Sequence, residues 1–338
     1  MTARIPTPLA AVLTDRFDRR IDYLRLSVTD RCDLRCSYCM PKGHHDFMPR
    51  AGWLTPDEIE RVAAAFAALG VRRIRLTGGE PLTRPDIDEI AARLGAVPGI
   101  EDLSLTTNAT QLAKHADAFH AAGVRRLNVS LDTLDPKRFR AITGTGTLAK
   151  VLRGLDKARS AGFTPIKINM VVLAGVNDHE IDAMAVFCGT RGFVLRLIEV
   201  MPMNGTAQPP ARAGAAPDLA AIRLRLQERF GLVDAMVPGG GPARYLRSPD
   251  GFYNIGFITP ISQHFCETCN RVRVTADGRL VLCLGRESSV DLRALLRDGA
   301  CQEELIDAIR DAIAKKPERH DFNVPQHRPL RFMAQTGG

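Results

Sequence analysis

Six of the eight cysteines in this 338-residue chain fall into two trios. Cys32, Cys36 and Cys39 lie near the start, with three and then two residues between them; Cys266, Cys269 and Cys283 lie in the last quarter. A structural zinc site or a closed cubane cluster takes four protein ligands. Three thiolates leave one metal position open, and an open position is where a substrate or cofactor coordinates and reacts. Two such sites in one chain point to an enzyme. Of the other cysteines, Cys188 follows Ile181 and Met184 at helical spacing, as a core thiol would, and Cys301 has no motif around it. The alternative for the first trio is a zinc site with His44 or His45 as its fourth ligand.

The elements that must position the trios are legible as periodicity. Strand patterns cover 22–28, 72–76, 102–106, 126–131, 166–173 and 193–200, with helical patterns between them. One such helix carries Ile59, Val62, Ala63, Phe66 and Leu69 on one face and opens with Thr55-Pro56-Asp57-Glu58, a capping box with Pro in the first turn. Repeated β-then-α units imply a parallel sheet with right-handed crossovers. The expected fold is α/β, a partial (β/α)6 TIM-type barrel with a C-terminal β-hairpin and helical extension closing it; an open doubly wound sheet is the alternative. Residues 1–20 read as an N-terminal extension, 21–201 as the barrel, 202–217 as a flexible connection rich in Pro, Gly and Ala, and 218–338 as a C-terminal region carrying the second trio.

Alternate strand residues face opposite ways. One face of the strands carries Tyr23, Arg25 and Ser27, then Arg73, Arg75 and Thr77, Ser104 and Thr106, Arg126, Asn128 and Ser130, and Lys167 and Asn169. The other face is Ile, Leu, Val and Met. An ordinary (β/α) barrel fills its lumen with branched apolar layers; this one is expected to enclose a cationic, hydroxyl-rich cavity. In the C-terminal region, 271–274 and 280–284 read as a hairpin around Asp277-Gly278, with Ala276 facing Arg279 and Val272 facing Cys283. That register puts Cys283 three ladder positions from Cys269, about 10 Å away.

Net charge is +8, which suits an anionic partner. The arginines are scattered, and four Tyr and one Trp offer little for base stacking, so a small polyanion in a pocket fits better than nucleic acid. No apolar run approaches the roughly 20 residues of a membrane span, and the first residues lack the apolar core of a secretory signal. A cytoplasmic protein without membrane contact is expected.

Cys32-Asp33-Leu34-Arg35-Cys36-Ser37-Tyr38-Cys39, directly after the first strand, closely resembles the signature of the radical S-adenosylmethionine (SAM) superfamily. In that superfamily the segment matching Thr77-Gly78-Gly79-Glu80-Pro81 binds the methionyl amino group of SAM. Phe265-Cys266-Glu267-Thr268-Cys269-Asn270-Arg271-Val272-Arg273 with Cys283 resembles the molybdenum-cofactor biosynthesis protein A family of GTP 3′,8-cyclases. Leu24 to Asp30, Thr106-Thr107-Asn108, Asn128 to Asp132, Ile198 to Met201 and the terminal Gly337-Gly338 extend the likeness over nearly the whole chain.

The resemblance implies two 4Fe–4S clusters and SAM, with Cys32, Cys36 and Cys39 holding the SAM cluster and Cys266, Cys269 and Cys283 a substrate cluster. It implies SAM contacts from Tyr38, Gly79, Ser130 and Met201. GTP contacts would come from Arg25, Arg75, Thr106, Lys167, Arg271, Val272 and Arg273, and catalytic roles from Arg271, Arg273, Gly337 and Gly338. The reaction implied is a lyase-type radical cyclisation of GTP that opens molybdopterin synthesis. Its implied partners are a reductant such as flavodoxin or ferredoxin, a downstream cyclic pyranopterin monophosphate synthase and a second copy of the chain. A radical SAM peptide-modifying enzyme is the rival within enzymes, and a zinc-stabilised RNA-binding protein the rival outside them.

Overall fold

A computed structural model describes residues 12–41, 43–203, 217–237, 240–322, 324 and 331–337. Its strands are β1 (Tyr23–Ser27), β2 (Arg73–Thr77), β3 (Asp102–Thr107), β4 (Val124–Ser130), β5 (Ile166–Val171) and β6 (Val194–Ile198). The helices between them are α1 (Pro56–Ala68), α2 (Ile87–Ala96), α3 (Leu112–Ala121), α4 (Pro136–Thr143), α5 (Leu148–Ser160) and α6 (Ile181–Arg191). The C-terminal region adds α7 (Leu219–Phe230), β7 (Val233–Ala235), β8 (Arg244–Arg247), β9 (Asn254–Ile258), β10 (Arg271–Val274), β11 (Arg279–Val281) and β12 (Ser289–Asp291). It ends in α8 (Leu292–Arg297), α9 (Gln302–Ala314) and a short α10 (Met333–Thr336).

The capping box forms as its sequence dictates: Thr55 Oγ1 accepts from Glu58 N–H (3.2 Å) and the Glu58 carboxylate from Thr55 N–H (2.8 Å). The apolar stripe of α1 then buries Ile59, Val62, Ala63 and Phe66 against the fully buried outward face of the strands, Leu24, Leu26, Ile74 and Leu76.

All strands join one sheet in the order β12-β11-β10-β1-β2-β3-β4-β5-β6-β9-β8-β7. The six barrel strands are parallel, and the C-terminal region lengthens that parallel run at both ends, with β10 beside β1 and β9 beside β6. The C-terminal strands thus flank the lumen from two sides, while the hydrogen-bonded order stays open at β12 and β7.

Register stacks the inward polar side chains into rows. Arg273, Arg25, Arg75, Ser104 and Arg126 are successive partners across β10, β1, β2, β3 and β4. Thr106, Asn128 and Lys167 form a second row, and Ser130, Asn169 and Arg196 a third.

The hairpin departs from its expected register by one residue. Arg273 faces Val281 and Val274 faces Leu280, not Val272 opposite Cys283 and Ala276 opposite Arg279. Thr275 N–H donates to Arg279 O (3.0 Å), so three residues turn the chain, with Gly278 at φ +77° as the left-handed third one. A three-residue loop with a left-handed Gly satisfies the same Asp-Gly signal without a positive φ at Asp277. Carried one step further, this register sets Cys283 opposite Arg271, two positions from Cys269 and about 7 Å along the ladder.

Candidate active site

The first trio sits on the loop leaving β1, and that loop is zipped to the loop leaving β2. Gly79 N–H donates to Thr29 O (2.8 Å) and Glu80 N–H to Arg31 O (2.7 Å). A Cβ on Gly79 would stand 2.2 Å from Arg31 O, and one on Gly78 2.5 Å from Thr29 O, so only glycines let the backbones approach this closely. Glu80 is buried and accepts from Thr107 Oγ1 (2.7 Å), Asn108 N–H (2.6 Å) and Leu82 N–H (3.1 Å), tying the next strand end in. Asn108 Nδ2 donates to Asp33 Oδ1 (2.7 Å) inside the cysteine loop. Tyr38 donates its hydroxyl to Asp132 Oδ2 (2.6 Å), and Asp132 Oδ1 accepts from Val171 N–H (2.8 Å).

These contacts place Cys32, Cys36 and Cys39 around one cavity, which Tyr38, Gly79, Ser130 and Met201 also line. Thr106 lines it too, on this side of the lumen. Burial raises all three thiol pKa values, Cys39 to about 11, and the charges of Glu80 and Asp132 push Cys32 and Cys36 further up. Such thiols stay protonated unless a metal displaces the protons, as donor sets for metal centres do.

The second trio is built from β10, the 3-10 turn Cys266–Thr268 before it, and the end of the hairpin. Arg19, neutralised by Asp15 at 2.7 Å, donates to the carbonyls of Cys266 (2.8 Å), Pro317 (2.7 Å) and Glu318 (2.7 Å), clamping the turn to the segment after α9. Backbone N–H groups of His320 and Gly285 hydrogen-bond the sulfurs of Cys266 and Cys283. Burial alone would raise Cys269, but the cations of Lys316 and Arg271 outweigh it and hold this thiol below its ordinary value. Among the described residues no three His, Cys, Asp or Glu side chains converge as they would on a single metal ion. Thiolates of a cubane bind separate irons and have no common point to share.

The cavities of the two trios share Arg25, Asn169, Ile198, Met201 and Arg273, so they adjoin across these residues. Arg75, Arg271 and Val272 line the cavity of the second trio. Lys167 lines neither of these cavities but a neighbouring one with Arg73, Arg75, Arg126 and Arg196, which shares Arg75 and Arg196 with the cavity of the second trio. Arg73 and Arg126 are balanced by Asp22 and Asp102. Arg75, Arg196, Arg271, Arg273 and Lys167 pair with neutral groups instead: Ser104, Asn128, Asn270, the carbonyls of Thr336 and Gly337, and Tyr245. Burial first, then their mutual repulsion, lowers Lys167 to about 7 and Arg196 and Arg273 to about 10. Tyr23 Oη, Thr106 Oγ1, Asn169 Oδ1 and the Nε atoms of Arg196 and Arg271 are buried without a hydrogen-bond partner. Cations crowded together with unpaired polar atoms fit a polyanionic ligand between the trios.

The C-terminal tail enters this space. Arg273 donates to Thr336 O (3.1 Å) and to Gly337 O, and Gly337 is buried at φ +74° with room for no Cβ, since Thr77 Cγ2 would lie 2.2 Å away. Gly338 lies outside the described residues. Two lumen cations, Arg196 and Lys316, were not among the sequence candidates. Arg196 is signalled by the alternation Leu195-Arg196-Leu197; Lys316 has no local signal, because its position depends on where the chain after α9 packs.

Residues 26–188 match the Radical SAM superfamily model and 193–322 the Molybdenum Cofactor Synthesis C model. The chain is 49% identical over 330 residues to GTP 3′,8-cyclase of Pseudomonas fluorescens, covering 97% of this chain and 99% of the relative. Over 332 residues it is 49% identical to GTP 3′,8-cyclase 1 of Pseudomonas aeruginosa, covering 96% and 100%. The Paracoccus denitrificans GTP 3′,8-cyclase is 48% identical over 336 residues, 97% of this chain and 96% of its own. Among solved structures, Streptococcus suis SuiB bound to S-adenosylmethionine superposes with TM-score 0.56 at 17% identity, covering 94% of this chain and 77% of SuiB. SuiB bound to its precursor peptide SuiA gives 0.59 at 16%, covering 92% and 74%. At such identities the likeness is one of fold alone. By its near full-length similarity to these relatives, the chain belongs to the GTP 3′,8-cyclase family of the radical SAM superfamily.

Proposed function

We propose that the protein converts GTP to (8S)-3′,8-cyclo-7,8-dihydroguanosine 5′-triphosphate, the opening step of molybdenum cofactor biosynthesis. The observation that carries this reading is a pair of adjoining cavities, one for each thiolate trio, with the cations Arg25 and Arg273 lining both. Cys32, Cys36 and Cys39 would hold one 4Fe–4S cluster, and Cys266, Cys269 and Cys283 the other. With its cluster in place, the first site supplies reductive cleavage of SAM, the source of the carbon radical that takes hydrogen from C3′ of GTP.

The chain's own residues bind, orient and shield. Tyr38, fixed by Asp132, and the backbone of Gly79 shape the SAM side together with Ser130 and Met201. Roughly four negative charges of the triphosphate are met by Arg75, Lys167 and Arg196 and by Arg25, Arg271 and Arg273, through charge-assisted hydrogen bonds. Thr106 lines the cavity of the first trio and Val272 that of the second, and both would contact the nucleoside. Arg273 lines both cavities and holds the tail at Gly337, which supports catalytic roles for Arg271, Arg273 and the terminal Gly337-Gly338 pair. A reductant such as flavodoxin or ferredoxin, product transfer to cyclic pyranopterin monophosphate synthase, a homodimeric state and a cytoplasmic location belong to the same reading. No helix among the described residues is long and apolar enough to cross a membrane.

Anaerobic incubation of the reduced protein with SAM and GTP should yield the cyclic nucleotide together with 5′-deoxyadenosine, from protein carrying about eight irons per chain. SAM cleavage that leaves GTP unaltered would overturn the cyclase reading in favour of a peptide substrate. Zinc without iron would overturn the radical reading altogether.

A further inference from the structure

Lys316 is a buried charge to which nothing above assigns a role. It follows α9, is 2% exposed and lines the cavity of Cys266, Cys269 and Cys283. Its Nζ donates to the carbonyl of Leu282, the residue before Cys283. Among the described residues no carboxylate pairs with it. A buried ammonium without a counter-charge is costly, so the position calls for negative charge nearby.

The neighbours narrow what that charge is. Arg271 donates to Gly240 O and Asn270 and its charge also reaches Cys269, while Arg273 donates to the tail carbonyls; of the three cations, Lys316 alone is hydrogen-bonded to the backbone beside Cys283. Arg19 is neutralised by Asp15, but it fixes the carbonyls of Pro317 and Glu318 to that of Cys266 and so anchors the segment carrying Lys316 against the cysteine turn. The Lys316 charge acts on both Cys269 and Cys283. Net charge around an iron–sulfur cluster is one of the terms that set its reduction potential.

We propose that Lys316 is a positioning residue for the second cluster, its buried ammonium offsetting the negative charge of the Cys269 and Cys283 thiolates and so raising that cluster's reduction potential. This rests on the reading of the second trio as a cluster site. The test is an anaerobic redox titration of the reconstituted full-length protein, with the two clusters followed separately by electron paramagnetic resonance. Lys316→Met should keep about eight irons and shift the second cluster's midpoint potential downward while leaving the first unmoved. Lys316→Arg should restore it, and Lys316→Gln, which keeps a donor for Leu282 O but no charge, should behave as Lys316→Met.

An unmoved second potential in Lys316→Met, or a Lys316→Gln protein like wild type, would overturn the proposal. If Lys316→Met and Lys316→Gln both lose the second cluster while Lys316→Arg retains it, the charge is needed to hold the cluster and the proposal stands. Loss in Lys316→Arg as well would mean packing alone, and overturns it. Wild-type protein with only about four irons would instead refute the cluster reading beneath it.

Discussion

Around Cys32 and Cys36 the charges that act are the carboxylates of Glu80, Asp33 and Asp132; around Cys269 and Cys283 they are the cations of Lys316, Arg271 and Arg19. The two trios share a donor set, but the charges acting on Cys269 and Cys283 are opposite in sign to those acting on Cys32 and Cys36. Negative surroundings disfavour adding an electron to a cluster and positive ones favour it. Burial pushes Glu80 up to about 8 and Asp132 up to about 6, so Asp132 lends its negative charge near neutral pH and Glu80 only on the alkaline side. The second environment suits a site that shares its space with an anion. The rows of Arg and Lys between them grade one field into the other.

The most severe break is removal of one end. Cys283→Ser should retain about four irons in the first site and continue to cleave SAM, while cyclisation of GTP falls below detection; iron analysis with product chromatography checks both. Full cyclisation by this variant would mean that the second trio has no part in the reaction.

A smaller break acts on the tail. Gly337→Ala places a Cβ against Thr77 and asks for a left-handed backbone that costs about 1–2 kcal/mol outside glycine. GTP turnover should drop about tenfold or more, with iron content and SAM cleavage unchanged. Turnover equal to wild type would show that the tail's path into the lumen does not matter.

The mildest change is titration of Lys167. Lys167 is charged below about pH 7 and neutral above it, because burial, then Arg196, Arg126 and Arg75, disfavour its ammonium. Raising the pH through 7 removes one cation from the triphosphate's surroundings, so the KM for GTP should rise on the alkaline side, by up to about tenfold. A bound polyanion draws the Lys167 pKa back up, so binding near pH 8 should take up a proton. In Lys167→Arg the guanidinium stays charged and that alkaline rise should vanish. A KM profile identical in Lys167→Arg and wild type would place the triphosphate elsewhere.

Much of this was legible in the chain itself. The six barrel strands begin and end within two residues of where alternation places them, and Thr55 and Glu58 cap α1 as written. Arg25, Arg75, Thr106 and Lys167 face the lumen because side-chain direction in a strand follows from parity alone. The hairpin register did not follow, since Asp277-Gly278 is compatible with a two-residue or a three-residue turn and only the ladder decides between them. Arg196 was legible but passed over, whereas Lys316 and Arg19 act through partners more than 30 and more than 240 residues away in sequence, which no local pattern encodes.

The sequence by itself determined the two donor sets, the parity of each strand and the glycines that let Arg31 and Thr29 approach the second loop. These are properties of neighbours along the chain. Only the tertiary structure decided that β10 pairs with β1, so that Arg273 meets Arg25 and the cavities of the two trios adjoin across this pair. Strand partners are chosen by burial of the whole outward face against the helices, and that choice also fixes the sign of the field at each trio.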